Sequence, residues 1–201
     1  MKAFLVVSHP NPRSLNHALA NAVRDTWLAH GCDVIFHDLH AEGFDPVLSA
    51  NEAAGLATQD PTVQAHIAEL VDCDLLGIVH PNCWGAPPAM MKGWIDRVLA
   101  PEAAYTFAKG IDRGDVPVGL LKARAAIVLN TGNTPLERER DHFGDPLDRI
   151  WRQCILSYCG VKDIHRRLFG VVATSSGTER EGWLNDARSI ALDVHRVAMG
   201  R

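Results

Sequence analysis

Five short apolar runs recur along the chain, each followed by a longer stretch of helical period, and this alternation constrains the fold more than any other feature. Ala3 to Val7, Val34 to Phe36, Leu75 to Val79, Ala125 to Leu129 and Leu168 to Ala173 read as strands. Their apolarity is continuous rather than alternating, which implies burial on both faces and hence a parallel sheet. Leu15 to Ala29, Pro61 to Val71, Ala89 to Leu99, Leu147 to Cys159 and Glu179 to Met199 carry helical spacing. Asp60-Pro61 is a start signal, an N-cap carboxylate followed by a proline whose missing N–H costs nothing in a first turn, and His30-Gly31 is a stop signal. Repeated β-α units predict an α/β protein with a three-layer, doubly wound sheet. No repeat, low-complexity tract or Ser/Gly linker divides the 201 residues, so a single domain over 1–201 is expected. Ala100 to Lys122, with two prolines and three glycines, reads as an excursion from the sheet. Glu137-Arg138-Glu139-Arg140-Asp141 alternates in charge and reads as a solvated helical face.

Composition narrows the function classes. The net charge of -4 argues against a nucleic-acid partner, and no run of about 18 apolar residues argues for membrane insertion. The first residues, Met1 to Val7, are too short an apolar stretch for a signal peptide before His9, Pro10 and Pro12 intervene. Cys32, Cys73, Cys83, Cys154 and Cys159 are an odd set with no CxxC, for which reduced thiols in the cytoplasm are the simplest account. His37-Asp38-Leu39-His40 offers three potential ligands in four residues, but nothing elsewhere completes a recognisable set, so no metal is expected.

Chemistry is expected at the carboxyl ends of the strands, where open α/β sheets leave a crevice and the following helix aims free N–H groups into it. Three loops qualify. After the first strand, Ser8 to Ala18 is polar and runs into a helix, with Arg13 adding positive charge and Ser14 placed to cap. After the third, Pro81-Asn82-Cys83-Trp84-Gly85 leads through Pro87-Pro88 into a helix, and Trp84 brings a flat apolar wall. After the fourth, Asn130-Thr131-Gly132-Asn133 is small and hydrogen-bonding, and Gly132 allows close approach of a flat ligand. Neither GxGxxG nor GxxxxGK[ST] occurs, which disfavours dinucleotide-fingerprint and P-loop proteins.

His9 with Ser14-Leu15-Asn16-His17-Ala18, Pro81 through Trp94, Tyr105-Thr106-Phe107 and Asn130 to Asn133 together resemble the flavodoxin-like NAD(P)H:quinone reductases. That group includes mammalian DT-diaphorase and the ancillary quinone reductases of bacterial potassium-efflux systems, and the likeness runs from residue 1 to about residue 195. It implies a flavodoxin-like sandwich with strand order 2-1-3-4-5. It also implies a flavin cofactor, NAD(P)H as co-substrate, a quinone or similar acceptor, ping-pong hydride transfer and a homodimer. His9, Ser14, Leu15, Asn16 and Ala18 would hold the phosphate end; Pro81, Asn82, Cys83, Trp84 and Gly85 would border the ring on one side, and Asn130, Thr131, Gly132 and Asn133 on the other. Tyr105 and Phe107 would line the substrate pocket. The chain departs from relatives that place a Tyr and a His after the fourth strand: Glu137 and Phe143 stand there, and His142 is the neighbouring candidate for a proton relay. Gly85 replaces an aromatic and predicts a roomier site. An insertion before the third strand and the mammalian C-terminal extension are not found, which favours FMN, with FAD the alternative. Two other readings fit these features less fully: a flavin-bearing accessory subunit of a transport system, and a flavodoxin-type electron carrier.

Overall fold

The computed structural model describes residues 1–107 and 117–200, so part of the Ala100 to Lys122 excursion lies outside the described residues. The elements run β1 (Lys2–Val7), α1 (Leu15–Ala29), β2 (Asp33–Asp38), α2 (Ala50–Ala53), α3 (Pro61–Val71), β3 (Leu75–Pro81), α4 (Ala89–Val98), β4 (Tyr105–Thr106) and β5 (Val118–Gly119). They continue with β6 (Ala125–Thr131), α5 (Leu136–Asp141), α6 (Pro146–Asp148), a π-helical segment Arg149–Leu156, β7 (Asp163–Phe169) and α7 (Gly177–Ala198). Five strands form one sheet in the order β2-β1-β3-β6-β7, every pair parallel, which is the expected 2-1-3-4-5 arrangement. β4 and β5 form a small antiparallel pair apart from it.

Strand side chains alternate between two cores, as a pleat of period two requires. Leu5, Val7, Ile127 and Leu129 face α1 and α7, while Phe4, Val6, Ile78 and Val128 face α3, α4 and the π-helical segment. Three fully buried tryptophans tie the layers, each with its indole N–H satisfied. Trp27 donates to the Ala191 carbonyl (3.0 Å), Trp94 to His66 Nδ1 (3.0 Å) and Trp151 to His80 Nε2 (2.8 Å). In α4, Gly93 is required by close approach: a Cβ there would lie 2.2 Å from the Pro46 carbonyl oxygen.

Two expected elements shift. The fifth strand begins at Asp163, and Val171 to Ala173 continue as loop. β7 is an edge strand, so its polar residues need only the partners that other elements bring, and apolarity marked only its end. The helix expected over Leu147 to Cys159 starts at Pro146 and changes to π geometry over Arg149–Leu156. Among the described residues no helix is long and apolar enough to cross a membrane.

Candidate functional site

The loops after β1, β3 and β6 converge at the carboxyl edge of the sheet, joined by the α5–α6 turn and the β7–α7 loop, around a cavity of about 1070 Å³. It sits where the strand order reverses, between β1 and β3. Of the expected residues, His9, Ser14, Leu15, Asn16, Pro81, Asn82, Trp84, Gly85, Thr131, Gly132 and Asn133 line it. Ala18, Cys83 and Asn130 are not on its wall; Tyr105 and Phe107 also stand apart, packed edge to face with centroids 5.8 Å apart. His142 borders a neighbouring depression with Glu137 and Asp141.

At one end, Ser14 caps α1 as expected, accepting the His17 N–H (3.3 Å). Leu15 and Asn16 open the helix, where first-turn N–H groups have no intrahelical acceptor and favour an anion. Ser14 Oγ lies 2.8 Å from His17 Nδ1, and His17 Nε2 lies 2.8 Å from Asp38 Oδ2, so the cap is itself braced from β2. His9 Nδ1 lies 3.0 Å from the Asn11 backbone nitrogen and 3.2 Å from the Asn11 carbonyl oxygen, so Asn11 fixes the ring in place whichever nitrogen carries the hydrogen. Burial lowers the His9 imidazole below its ordinary range, against the opposing bond to Asn11.

The middle is walled by a tight turn. Cys83 and Ala86 exchange backbone hydrogen bonds (3.0 and 3.1 Å) around Trp84 and Gly85, whose φ angles are 59° and 77°. Two left-handed residues in succession are the geometry of a type I′ turn, which favours glycine and strains tryptophan. The Trp84 side chain is held fully exposed beside the cavity, at 105% relative exposure. Gly85 is fixed by its backbone, and Pro146 fills part of the space that the missing aromatic was expected to leave, since a Cβ would meet Pro146 Cγ at 3.1 Å. Asn82 secures the turn, its Oδ1 accepting the Gly85 N–H (2.8 Å) and its Nδ2 donating to Glu139 Oε1 (2.8 Å).

Beneath these loops runs a buried polar chain. His80 Nδ1 donates to the Pro81 carbonyl (2.8 Å), and His80 Nε2 accepts from Trp151 Nε1 and, at 3.1 Å, from Asn130 Nδ2. Asn130 Oδ1 accepts from Arg166 Nε (2.9 Å), and Arg166 Nη1 donates to Asp145 Oδ2 (2.7 Å). The Asp145 N–H donates to the Glu139 carbonyl (2.9 Å), and Glu139 returns to Asn82, so the circuit closes across three walls of the cavity. Asn130 is thus spent on structure. Burial, reinforced by the Arg166 charge, pushes His80 down to about 4 against the bond to Pro81, which keeps the ring a neutral acceptor.

Residue types alone did not reveal Glu139, Arg138 and Arg180 as part of the wall. The charged block does form a helix, but Glu139 is only 3% exposed, so that face is not wholly solvated; its partner Asn82 lies 57 positions away, beyond any local pattern. Arg180 enters from α7 and is held by Ser175 Oγ (2.8 Å) and the Val172 carbonyl (3.2 Å). The Ser176–Glu179 capping box was a legible signal that α7 starts early enough to bring it there.

A second cluster lies apart from this cavity. His37, Glu42 and His66 bring potential ligand atoms within 4.8 Å of one another, whereas Asp38 of the sequence quartet is directed to His17. Trp94 can only donate, so His66 Nδ1 must be the acceptor and the ring hydrogen sits on Nε2, directed at Glu42 (3.1 Å). That nitrogen has no lone pair to offer a cation, and the cluster is a hydrogen-bonded network.

Comparison with known proteins agrees with this geometry. The flavodoxin-like fold family matches residues 1–190. An uncharacterised NAD(P)H oxidoreductase of Haemophilus influenzae is 30% identical over 179 residues, covering 85% of this chain and 84% of that protein. NAD(P)H dehydrogenase (quinone) 1 of Rattus norvegicus is 27% identical, covering 90% of this chain and 74% of the relative. The crystal structure of a quinone reductase homologue from Klebsiella pneumoniae superposes with a TM-score of 0.83 at 25% identity, covering 96% of this chain and 84% of that one. A loop-built cavity at the switch point, a five-stranded parallel sheet and matches over nearly the whole length place the chain in the flavodoxin-like NAD(P)H:quinone oxidoreductase family, a family of oxidoreductase enzymes.

Proposed function

We propose that the protein is a single-domain, flavin-dependent NAD(P)H:quinone oxidoreductase that uses FMN and passes two electrons to a quinone or a similar acceptor by a ping-pong route. The observation that carries this reading is the convergence of the β1, β3 and β6 loops on one cavity. The residues present suit the cofactor. The capped start of α1 with Arg13 suits one phosphate group, and the walls at Pro81 to Gly85 and Thr131 to Asn133 are backbone-rich and flat enough for a ring. Among the described residues of the lining, Arg13, Arg138 and Arg180 against the carboxylate of Glu139 give the cavity a positive balance in an acidic chain, which suits an anionic cofactor.

When bound, the flavin supplies the hydride chemistry. Ser14, Leu15 and Asn16 would hold its phosphate, Gly132 would let the backbone approach its ring, and Trp84 would offer the ring an apolar surface. Tyr105 and Phe107, off the cavity of this chain, reach an acceptor site only if a second copy of the chain completes it, which is the form the expected homodimer takes here.

The test is turnover of the FMN-loaded protein with NADH or NADPH and menadione or benzoquinone. Rapid oxidation with parallel double-reciprocal lines is expected. Bound flavin with negligible turnover would overturn the enzyme reading in favour of an accessory subunit, and a stable one-electron reduced form would favour a carrier.

A further inference from the structure

We propose that Glu139 takes up and returns the proton that accompanies the two electrons passing through the cavity. The inference rests on the oxidoreductase reading above, and begins from a carboxylate that the fold places where a charged helix face should be wet. Glu137, Arg138, Arg140 and Asp141 on α5 are all exposed, whereas Glu139 is 3% exposed and turned to the cavity. It is the one carboxylate among the described residues of the lining, and none of the ion pairs found among those residues involves it. Its Oε1 accepts from the neutral amide of Asn82 at 2.8 Å. The Asp145 N–H holds its carbonyl at 2.9 Å, so the end of α5 is pinned and the carboxylate keeps its place.

Among the described residues no charged group pairs with its carboxylate, and three arginines near it have other partners. Arg138, the preceding residue, stands over the Phe143 ring, 5.6 Å from its centroid. Arg180 of α7 is tied to Ser175 and Val172, and Arg166, behind the turn, is paired with Asp145. Arg13 and His9 enter from the β1–α1 loop. New negative charge arriving beside a carboxylate favours the carboxylate's protonated form.

The overall reaction needs such a group. NAD(P)H loses a hydride and becomes NAD(P)+; the quinone gains that hydride equivalent and one proton and becomes the hydroquinone. Glu139 binds the proton from water as the two electrons enter the cavity, holds it as a carboxylic acid, and releases it to the quinone oxygen as they leave, returning to the carboxylate.

Two substitutions separate this role from scaffolding. Glu139→Gln keeps an oxygen for Asn82 Nδ2 but exchanges no proton, whereas Asn82→Ala breaks the same hydrogen bond, together with the one to the Gly85 N–H, and leaves the carboxylate. FMN-loaded proteins would be reduced anaerobically with dithionite in weak buffer, and proton uptake per flavin read from an indicator dye, beside the pH profile of quinone reduction. Wild type and Asn82→Ala are expected to take up a proton that Glu139→Gln does not, and Glu139→Gln to lose the pH dependence of the quinone step. Equal uptake by wild type and Glu139→Gln overturns the proposal, as does loss of uptake in both variants, which would mean that loop geometry alone was responsible. Should Glu139→Gln not fold, Glu139→Asp must retain the uptake, and its loss there counts equally against the proposal. A wild-type protein that binds FMN and turns over while these proton results fail defeats this inference alone; one that binds no flavin defeats the functional reading and this inference with it.

Discussion

Replacing His80 by leucine tests the buried circuit beneath the cavity, because its two effects have opposite signs. In the folded chain His80 is fully buried and titrates at about 4 instead of its ordinary 6.5. Below the unfolded value the unfolded chain binds a proton that the folded chain refuses. Stability from this ring is therefore fully present above about pH 6.5 and is lost as pH falls towards 4, at about 1.4 kcal/mol per pH unit and about 3 kcal/mol in all. His80→Leu removes that loss but orphans the Trp151 N–H, while Asn130 Nδ2 keeps only a longer bond to the His80 carbonyl, 3.3 Å. One buried, unmet donor costs about 2 kcal/mol. The variant is expected to be less stable than wild type by that amount at neutral pH, to have a flatter acid limb, and to cross the wild-type curve near about pH 5. Urea unfolding followed by tryptophan fluorescence at a series of pH values measures both. Parallel curves for the two proteins would refute the assignment of His80 as a buried neutral acceptor.

Other expectations follow from single contacts. Trp84→Ala should change the unfolding free energy from urea titration hardly at all, by under about 0.5 kcal/mol, because the ring is fully exposed, yet weaken FMN binding in a fluorescence titration. Ser14→Ala should cost about 1 kcal/mol of stability through the lost cap and also reduce FMN affinity, which a titration with free riboflavin, lacking the phosphate, should not show. Arg97→Met breaks a buried pair in which Arg97 donates to Glu52 (3.0 and 3.1 Å) and the Asp45 carbonyl, and should cost about 3 kcal/mol by urea unfolding. Burial alone would raise the Glu52 carboxyl, but bonds from Thr58, Ser49 and Arg97 outweigh it and bring the group down to about 2. Its contribution is complete above the unfolded value of 4.5 and is lost as pH falls through about 2, so Glu52→Gln should flatten only the most acidic part of the unfolding curve.

Local signals carried most of the fold. Leu15–Ala29 and Pro61–Val71 are helices with the boundaries read from sequence, because Ser14 and Asp60 supply side-chain caps that announce where each begins. The central strands were legible because burial on both faces leaves them apolar throughout. β7 was legible only at its apolar end, since Arg166 and Arg167 sit in it and their carboxylates, Asp145 and Asp186, arrive from distant positions. The same reason separates what was readable at the site from what was not. The three loops follow directly from strand ends, and Trp84 from its place in the third-strand loop. Glu139 and Asn130 change meaning only when folding brings Asn82 to one and Arg166 to the other: a surface-type glutamate becomes part of the cavity, and a loop asparagine becomes part of its foundation. Gly85 shows a further limit, because its backbone conformation and the approach of Pro146 are properties of the turn, not of the residue type.

The central claim, that the loops after β1, β3 and β6 form a flavin site, is tested most directly by titrating the flavin-free protein with FMN and following flavin fluorescence. Saturable binding of one FMN per chain, weakened in Ser14→Ala and Trp84→Ala variants that remain folded, is the predicted result. Failure to bind either FMN or FAD, or binding indifferent to both substitutions, would contradict the account.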